Sequence, residues 1–203
     1  MTAIVDYGVG NLFSLRCSFA AVGEEAIVSG DPAELRRAER LVLPGVGAFG
    51  DAAEKLRQTG LDRTLLEAAT AGVPLLGICL GMQLLFDESL EYGRHPGLGL
   101  IPGTVRPIRE VIPPDYKIPQ IGWNALDFRG RSDPLFRRIQ EGDFVYFVHS
   151  YYAADCGEHT IAVTDYGAPL TAAVRRGNVW GCQFHPEKSG AVGLNILRAF
   201  CEL

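Results

Sequence analysis

A cysteine lies between two glycines in the segment Gly77-Ile78-Cys79-Leu80-Gly81. The segment follows an apolar run and begins a helical pattern of leucines at 80, 84 and 85, the sequence context of a nucleophile elbow. The glycines leave room for a sharp turn, and the helix behind it would turn its positive end toward the thiolate. Most lone buried cysteines are small core residues. This context instead predicts that Cys79 is a nucleophile.

A thiol nucleophile needs a base and a group that orients the base, and Phe184-His185-Pro186-Glu187 offers both. Alternate residues of an extended segment lie on one side, so His185 and Glu187 are predicted to face the same cleft. The plainer interpretation is a histidine in a solvated turn. Of the other histidines, His149 ends a predicted strand, where a structural or supporting role is expected.

A glycine-rich loop, Leu43-Pro44-Gly45-Val46-Gly47-Ala48-Phe49-Gly50, contains G-x-G-x-x-G between a predicted strand and a helix. A dinucleotide site would also need an acidic residue at the end of the next strand, about 20 positions on. That strand ends at Cys79 instead, and no G-x-x-x-x-G-K-[ST] motif is present. We therefore expect the loop's backbone N–H groups to stabilise an oxyanion.

The composition narrows the class of protein. The 203 residues are 47% hydrophobic, enough for a sizeable core, and 19 basic against 24 acidic residues without a basic run disfavour nucleic-acid binding. The start of the sequence lacks a signal-peptide pattern, and the longest nearly uncharged stretch, residues 68–82, is short and broken by glycine and proline. Five cysteines without a C-x-x-C spacing predict neither a disulfide framework nor a zinc site. We expect a cytoplasmic protein without a metal or cofactor.

The elements that must position these residues follow from the pattern of apolar runs. Runs at 3–5, 26–28, 41–43 and 73–78 alternate with amphipathic helical segments, which is typical of a parallel sheet covered on both faces. Prolines between 98 and 121 predict edge strands and loops.

Later β-branched and aromatic runs predict antiparallel strands, and a final amphipathic helix is predicted over 192–200. These runs are 144–148, 160–163, 170–174 and 179–184. We predict one α/β domain over residues 1–203, with a largely parallel sheet flanked by helices and an antiparallel extension in the C-terminal half.

Together, the glycine loop, the G-x-C-x-G elbow and the late H-P-E resemble the class I (triad) glutamine amidotransferases, which implies their flavodoxin-like fold. Within that family, further segments are similar to the glutaminase subunits of imidazole glycerol phosphate synthase. These segments are Asp6-Tyr7-Gly8-Val9-Gly10-Asn11-Leu12, Gly122-Trp123-Asn124, Phe147-Val148-His149-Ser150-Tyr151 and His185-Pro186-Glu187-Lys188-Ser189. One departure is Gln120, where the family pattern has histidine; we expect this to change only contacts beside the tryptophan.

The resemblance implies glutamine as the substrate and a role for each matching residue. Cys79 would attack the side-chain amide of glutamine, His185 would relay a proton to the departing ammonia, and Glu187 would orient His185. The implied oxyanion hole is Gly45, Val46 and Gly47. The implied contacts to the amino-acid end of the substrate are Gln83, Ser150 and Tyr151.

The resemblance also implies a partner, a (β/α)₈ cyclase subunit that receives the ammonia and forms imidazole glycerol phosphate and aminoimidazole carboxamide ribotide in histidine biosynthesis. Four residues match positions at that heterodimer interface: Asn11, Trp123, Tyr146 and Lys188. From the residues alone, each has a plainer interpretation: a turn cap, a core aromatic, a strand aromatic and a solvated charge.

Three alternatives stay open at this point. The chain could supply ammonia to a different synthase, such as pyridoxal phosphate synthase. It could be a non-enzymatic redox sensor in which Cys79 is oxidised, although a sensor does not need a histidine–carboxylate pair. It could also be a Rossmann-type binding module.

Overall fold

Thirteen strands and six helices make up the chain, and the computed structural model describes all of residues 1–203. The strands are β1 (Thr2–Val5), β2 (Ala26–Ser29), β3 (Arg40–Leu43), β4 (Leu75–Ile78), β5 (Phe86–Ser89), β6 (His95–Pro96), β7 (Ile101–Pro107), β8 (Gln120–Ala125), β9 (Phe144–His149), β10 (Tyr151–Ala154), β11 (Thr160–Asp165), β12 (Pro169–Arg176) and β13 (Val179–Cys182). The helices are α1 (Leu12–Ala21), α2 (Pro32–Leu35), α3 (Phe49–Thr59), α4 (Leu61–Thr70), α5 (Leu80–Gln83) and α6 (Gly190–Cys201).

The main sheet has seven strands in the order β11-β12-β13-β4-β3-β1-β2. From β13 to β2 every pairing is parallel, whereas β11, β12 and β13 pair antiparallel. β13 therefore joins the parallel half to the antiparallel half. The predicted fold class, a largely parallel sheet with an antiparallel extension, is confirmed.

The parallel strands are buried on both faces, which is why their sequences read as continuous apolar runs. All four residues of β1 and all four of β4 are buried. One side of the sheet packs against α3 and α4, whose buried residues recur at helical spacing; the other packs against α1 and α6. Each fully buried large side chain, such as Phe49 or Phe200, contributes about 1.5–3 kcal/mol. No helix is both long and apolar enough to span a bilayer.

A second sheet of four strands has the order β10-β7-β5-β6, and β8 pairs only with β9. The prediction of edge strands is correct for β8 but wrong for β7, which lies between β10 and β5. Pro102 is tolerated there because the β5–β7 register shifts: Phe86 pairs with Ile101, but Glu88 pairs with Thr104. Pro102 therefore lies in the irregular part of the ladder, where the regular pattern does not require a backbone N–H donor.

Candidate active site

Cys79 directly follows β4 and has a positive φ, with φ 54° and ψ −111°. A β-carbon added at Gly77 would lie 2.6 Å from the carbonyl oxygen of Gly81, and one added at Gly81 would lie 1.8 Å from that of Leu43. Neither position accepts a side chain. The backbone N–H of Cys79 donates to the carbonyl of Cys182 at 2.7 Å, which joins the turn to β13. The local geometry is that of the predicted elbow.

The helix behind the elbow is shorter than the leucine pattern predicts, because α5 ends at Gln83. The carbonyl oxygens of Leu84 and Leu85 accept from the N–H groups of Leu98 and Leu100, at 2.8 and 2.9 Å. In a longer helix these two carbonyl oxygens would accept from N–H groups of the next turn. Because they are bonded to the segment 98–100 instead, the helix ends and the chain continues into β5. A single turn has little macrodipole, so the expected support of the thiolate by a helix end is wrong.

The predicted base and its orienting carboxylate are in contact. The Nδ1 of His185 lies 2.8 Å from the Oε1 of Glu187, and both side chains are buried. His185 is extended, but Pro186–Lys188 forms a 3₁₀ turn, so the prediction that the two residues share one side of a strand is wrong in its local geometry. The tight turn brings the carboxylate back to the imidazole. The second carboxylate oxygen, Oε2 of Glu187, is buried and has no hydrogen-bond partner.

The protonation of His185 follows from its surroundings. Burial lowers the pKa of His185, but hydrogen bonds to Cys79 and Glu187 outweigh burial and raise it to about 9. The imidazole is therefore mostly protonated at neutral pH. A charged imidazole beside a cysteine is the usual setting of a nucleophilic thiol.

Cys79 and His185 open into a cavity of about 580 Å³. Gln83, Ser150 and Tyr151 line it, as the sequence predicts for residues that hold the substrate. The Nε2 of Gln83 donates to the carbonyl oxygen of Tyr151 at 3.1 Å and to the Oε1 of Gln183 at 3.0 Å. Since both amide hydrogens are used, Gln83 has only its oxygen left for a ligand.

The glycine loop lies against the elbow. A β-carbon at Gly45 would lie 2.7 Å from the backbone nitrogen of Gly81, so the close approach requires glycine. Val46 and Gly47 line the cavity, and Gly47 has a φ of 95°. The backbone N–H groups of Gly45, Val46 and Gly47 donate to no group within the chain. The structure therefore places unpaired amides of this loop beside Cys79.

Sequence reasoning missed two acidic or aromatic residues of the cavity, Glu91 and Tyr92, which occur in a turn without any periodic signal. The Oε2 of Glu91 accepts from the backbone N–H of Phe49 at 2.6 Å. Tyr92 is 88% exposed, and its ring lies edge-on to that of Tyr151, with centroids 6.5 Å apart. Burial raises the pKa of Tyr151, and the charge of Glu91 raises it further. A carboxylate thus lies beside the predicted substrate contacts.

His149 also lines the cavity, which agrees with its expected supporting role. Burial lowers its pKa to about 4, so the ring is neutral at physiological pH. Its Nδ1 lies 2.7 Å from the carbonyl oxygen of Tyr151, and its Nε2 lies 2.9 Å from the Oε1 of Gln120. The glutamine at position 120 therefore contacts His149, which lines the cavity. The expectation that it changes only contacts beside Trp123 is wrong.

Three of the four predicted interface residues lie together. Trp123 and Tyr146 pair across β8 and β9 with ring centroids 6.0 Å apart, and the Nζ of Lys188 lies 5.9 Å from the Tyr146 ring. Trp123 is 52% exposed, so its plainer interpretation as a core aromatic is wrong. Asn11 caps α1 by accepting from the N–H of Ser14 at 3.3 Å, and the preceding Gly10 packs against Pro44 of the glycine loop.

Comparison with solved structures supports the fold. A glutamine amidotransferase crystal structure aligns with a TM-score of 0.76 at 20% identity, covering 99% of this chain and 97% of that one. The structure of PurLQS from Thermotoga maritima aligns with a TM-score of 0.78 at 19% identity, again covering 99% and 97%. At such identities the likeness concerns the fold alone.

Comparison of sequences extends over the full chain. A protein of Wolinella succinogenes called imidazole glycerol phosphate synthase subunit HisH is 47% identical, with 100% of both chains covered. A protein of the same name from Geobacillus sp. is 50% identical, and the match covers 100% of this chain and 97% of that protein. Another from Lactococcus lactis is 46% identical, and the match covers 98% of this chain and 96% of that protein. The family model for glutamine amidotransferase class-I matches residues 3–202, and the chain therefore belongs to the class-I glutamine amidotransferase family.

Proposed function

We propose that this chain hydrolyses glutamine to glutamate and ammonia, and that it is the glutaminase subunit of an imidazole glycerol phosphate synthase. The observation that carries the proposal is the buried His185–Glu187 pair, joined at 2.8 Å, in the same cavity as Cys79. The relatives that match over the whole chain, at 46–50% identity, carry the name of that synthase subunit.

The reaction begins at the sulfur. The Cys79 thiolate attacks the side-chain amide carbon of glutamine, and the negative charge that develops on the amide oxygen is stabilised by loop amides among Gly45, Val46 and Gly47. His185, protonated at neutral pH, donates its proton to the leaving nitrogen; the C–N bond of the tetrahedral adduct breaks, ammonia departs, and a γ-glutamyl thioester remains on Cys79.

The second half of the reaction reverses these roles. His185, now neutral, accepts a proton from water as the water attacks the thioester carbon, and the Cys79 thiolate leaves. Glutamate is released, and the thiolate–imidazolium pair is restored. Glu187 keeps the Nδ1 of His185 occupied throughout, so that the Nε2 faces the sulfur and the substrate.

The amino-acid end of glutamine requires groups of both signs. We assign the Oε1 of Gln83 and the carboxylate of Glu91 to the substrate's ammonium group, because both are acceptors that line the cavity. Ser150 and Tyr151, which also line the cavity, are assigned to the carboxylate end.

The partner in this proposal is a (β/α)₈ cyclase subunit, which would use the ammonia to form imidazole glycerol phosphate and aminoimidazole carboxamide ribotide. The docking face is formed by Trp123, Tyr146 and Lys188 with the Asn11 turn. Ile121 and Phe144, 60% and 55% exposed, extend the apolar surface beside Trp123. We propose that residues 1–203 act as one domain in this heterodimer.

The proposal is tested by measuring glutamate release in the presence of the cyclase and its ligand. An electrophilic glutamine analogue should block release and label Cys79, which peptide mass analysis locates; Cys17→Ser, at an exposed cysteine, should behave like wild type. Labelling at another cysteine would overturn the assignment of the nucleophile, and absence of glutamate release would favour the redox-sensor alternative. Ammonia transfer to a pyridoxal phosphate synthase subunit instead would reassign the partner.

A further inference from the structure

We propose that Gln183 is a fourth residue of the reaction centre. Its side-chain amide donates a hydrogen bond to the sulfur of Cys79, while its carbonyl oxygen holds Gln83 in the orientation that receives substrate. One buried amide thus couples the nucleophile to the substrate-binding side chain. The effect on glutamine turnover rests on the proposed function, whereas the effect on the sulfur does not.

The position of Gln183 is closely determined. It follows β13, is fully buried, and donates its backbone N–H to the carbonyl of Ala172 at 2.8 Å. Its Nε2 lies 3.7 Å from the Sγ of Cys79, within the longer reach of a hydrogen bond to sulfur. Its Oε1 accepts from the Nε2 of Gln83 at 3.0 Å. An amide buried this deeply is costly unless both of its ends are hydrogen-bonded, and here both are.

The direction of this chain of hydrogen bonds is set by the backbone carbonyl of Tyr151. A carbonyl can only accept, so the nitrogen of Gln83 must face it, and the second hydrogen of that nitrogen reaches Gln183. If the Gln183 amide were rotated by 180°, its NH₂ group would face the NH₂ group of Gln83. If both amides were rotated, the Oε1 of Gln83 would face the carbonyl oxygen of Tyr151. The nitrogen of Gln183 therefore faces the sulfur.

A donor aimed at sulfur stabilises the thiolate over the thiol. This contribution matters because the helix behind Cys79 is a single turn. The titratable groups that interact electrostatically with the sulfur are His185 and Tyr7. Glu187 acts on His185, and His185 in turn contributes to the lowered pKa of His149. Gln183 adds an uncharged donor whose strength does not vary with pH.

The test substitutes Gln183→Met, which has similar size but neither donor nor acceptor. The rate at which iodoacetamide alkylates Cys79 should fall about 10- to 100-fold at neutral pH, the usual loss for a hydrogen bond to a charged group, and return toward the wild-type rate at high pH, where the thiol ionises without help. A merely structural role would lower the rate equally at every pH. Gln58→Met, on an exposed face of α3, is the matched control.

If Gln183→Met does not fold, two further measurements test the same proposal. Gln183→Asn retains an amide but is one methylene too short to reach the sulfur, and should show the same pH-dependent loss. In the wild-type chain, the side-chain amide proton of Gln183 should move downfield over the pH range in which alkylation accelerates. Alkylation like wild type in a folded variant, or an amide signal that does not move, would overturn the proposal.

Glutamine turnover, measured in the complex with the cyclase, separates this inference from the proposed function. In Gln183→Met, kcat should fall with the alkylation rate, and KM should rise because Gln83 loses the acceptor that holds it. If the wild-type complex releases no glutamate, the proposed function fails while the alkylation result stands. If wild type is active and both kinetic constants are unchanged in the variant, the inference about Gln183 fails alone.

Discussion

Replacing Glu187 by glutamine removes a negative charge while preserving the size of the side chain and an oxygen facing His185. The carboxylate lies 2.8 Å from Nδ1, and neither side chain has appreciable contact with solvent. An opposite charge at this distance usually changes a pKa by about 1 to 3. We therefore expect the pKa of His185 to fall by that amount from its wild-type value of about 9.

The same change predicts a pH-dependent loss of stability. In the wild type, His185 has a pKa of about 9 against an ordinary value of 6.5, so the native state binds more protons than the unfolded state between these values. The raised pKa stabilises the native state by about 3 kcal/mol below pH 6.5, and this contribution disappears as the pH rises through 9. Glu187→Gln should therefore lower the unfolding free energy by about 1 to 4 kcal/mol more at pH 6 than above pH 9.

The assay combines two measurements on the same variant. NMR titration of the His185 imidazole gives its pKa, and urea unfolding at pH 6 and at pH 9.5 gives the two free energies. Glu158→Gln, at an exposed glutamate, controls for the loss of one negative charge. The new amide N–H would take the position of the Oε2 of Glu187, which is buried and unpartnered in the wild type as well, so any cost of that buried group does not depend on pH. Only the change between the two pH values therefore reports on the ion pair.

One result would refute this reasoning. If the pKa of His185 in Glu187→Gln stays near 9, the neighbouring sulfur, and not the carboxylate, maintains the imidazolium. The double variant Cys79→Ser with Glu187→Gln would then show the fall that the single variant lacks.

Three more predictions concern the elbow and the interface. Cys79→Ser should abolish glutamine-dependent synthesis while the complex still turns over with added ammonium, measured by product formation with each nitrogen source; loss of both would contradict it. Gly81→Ala, whose β-carbon would lie 1.8 Å from the carbonyl of Leu43, should cost about 3 kcal/mol or more in urea unfolding, whereas Gly157→Ala, with no atom within 4 Å, should cost little. If Lys188 forms an ion pair with a buried acidic residue of the cyclase, Lys188→Ala should weaken binding of the cyclase by about 2–5 kcal/mol, measured by calorimetry. Unchanged affinity would show that the lysine is a solvated charge.

The sequence by itself determined the fold class and the candidates for the reacting residues, because both are local signals. Continuous apolar runs predict strands buried on two faces, and β1 and β4 are such strands. The glycines around Cys79 predict a turn that no other residue could make, and the close backbone contacts at Gly77 and Gly81 agree. The H-P-E segment predicts a base and its carboxylate because the two residues are near neighbours in the chain.

Only the tertiary structure decided which distant side chains complete the site. The length of α5 depends on hydrogen bonds from a segment that returns 14 residues later, as in the bond from Leu98 to Leu84, and no local pattern encodes that competition. Gln183 lies in a predicted strand and Glu91 in a turn, and neither belongs to a motif, yet one reaches the sulfur and the other lines the cavity. Their roles arise because burial makes each polar atom find a partner, and the partners available to it are set by how the strands cross.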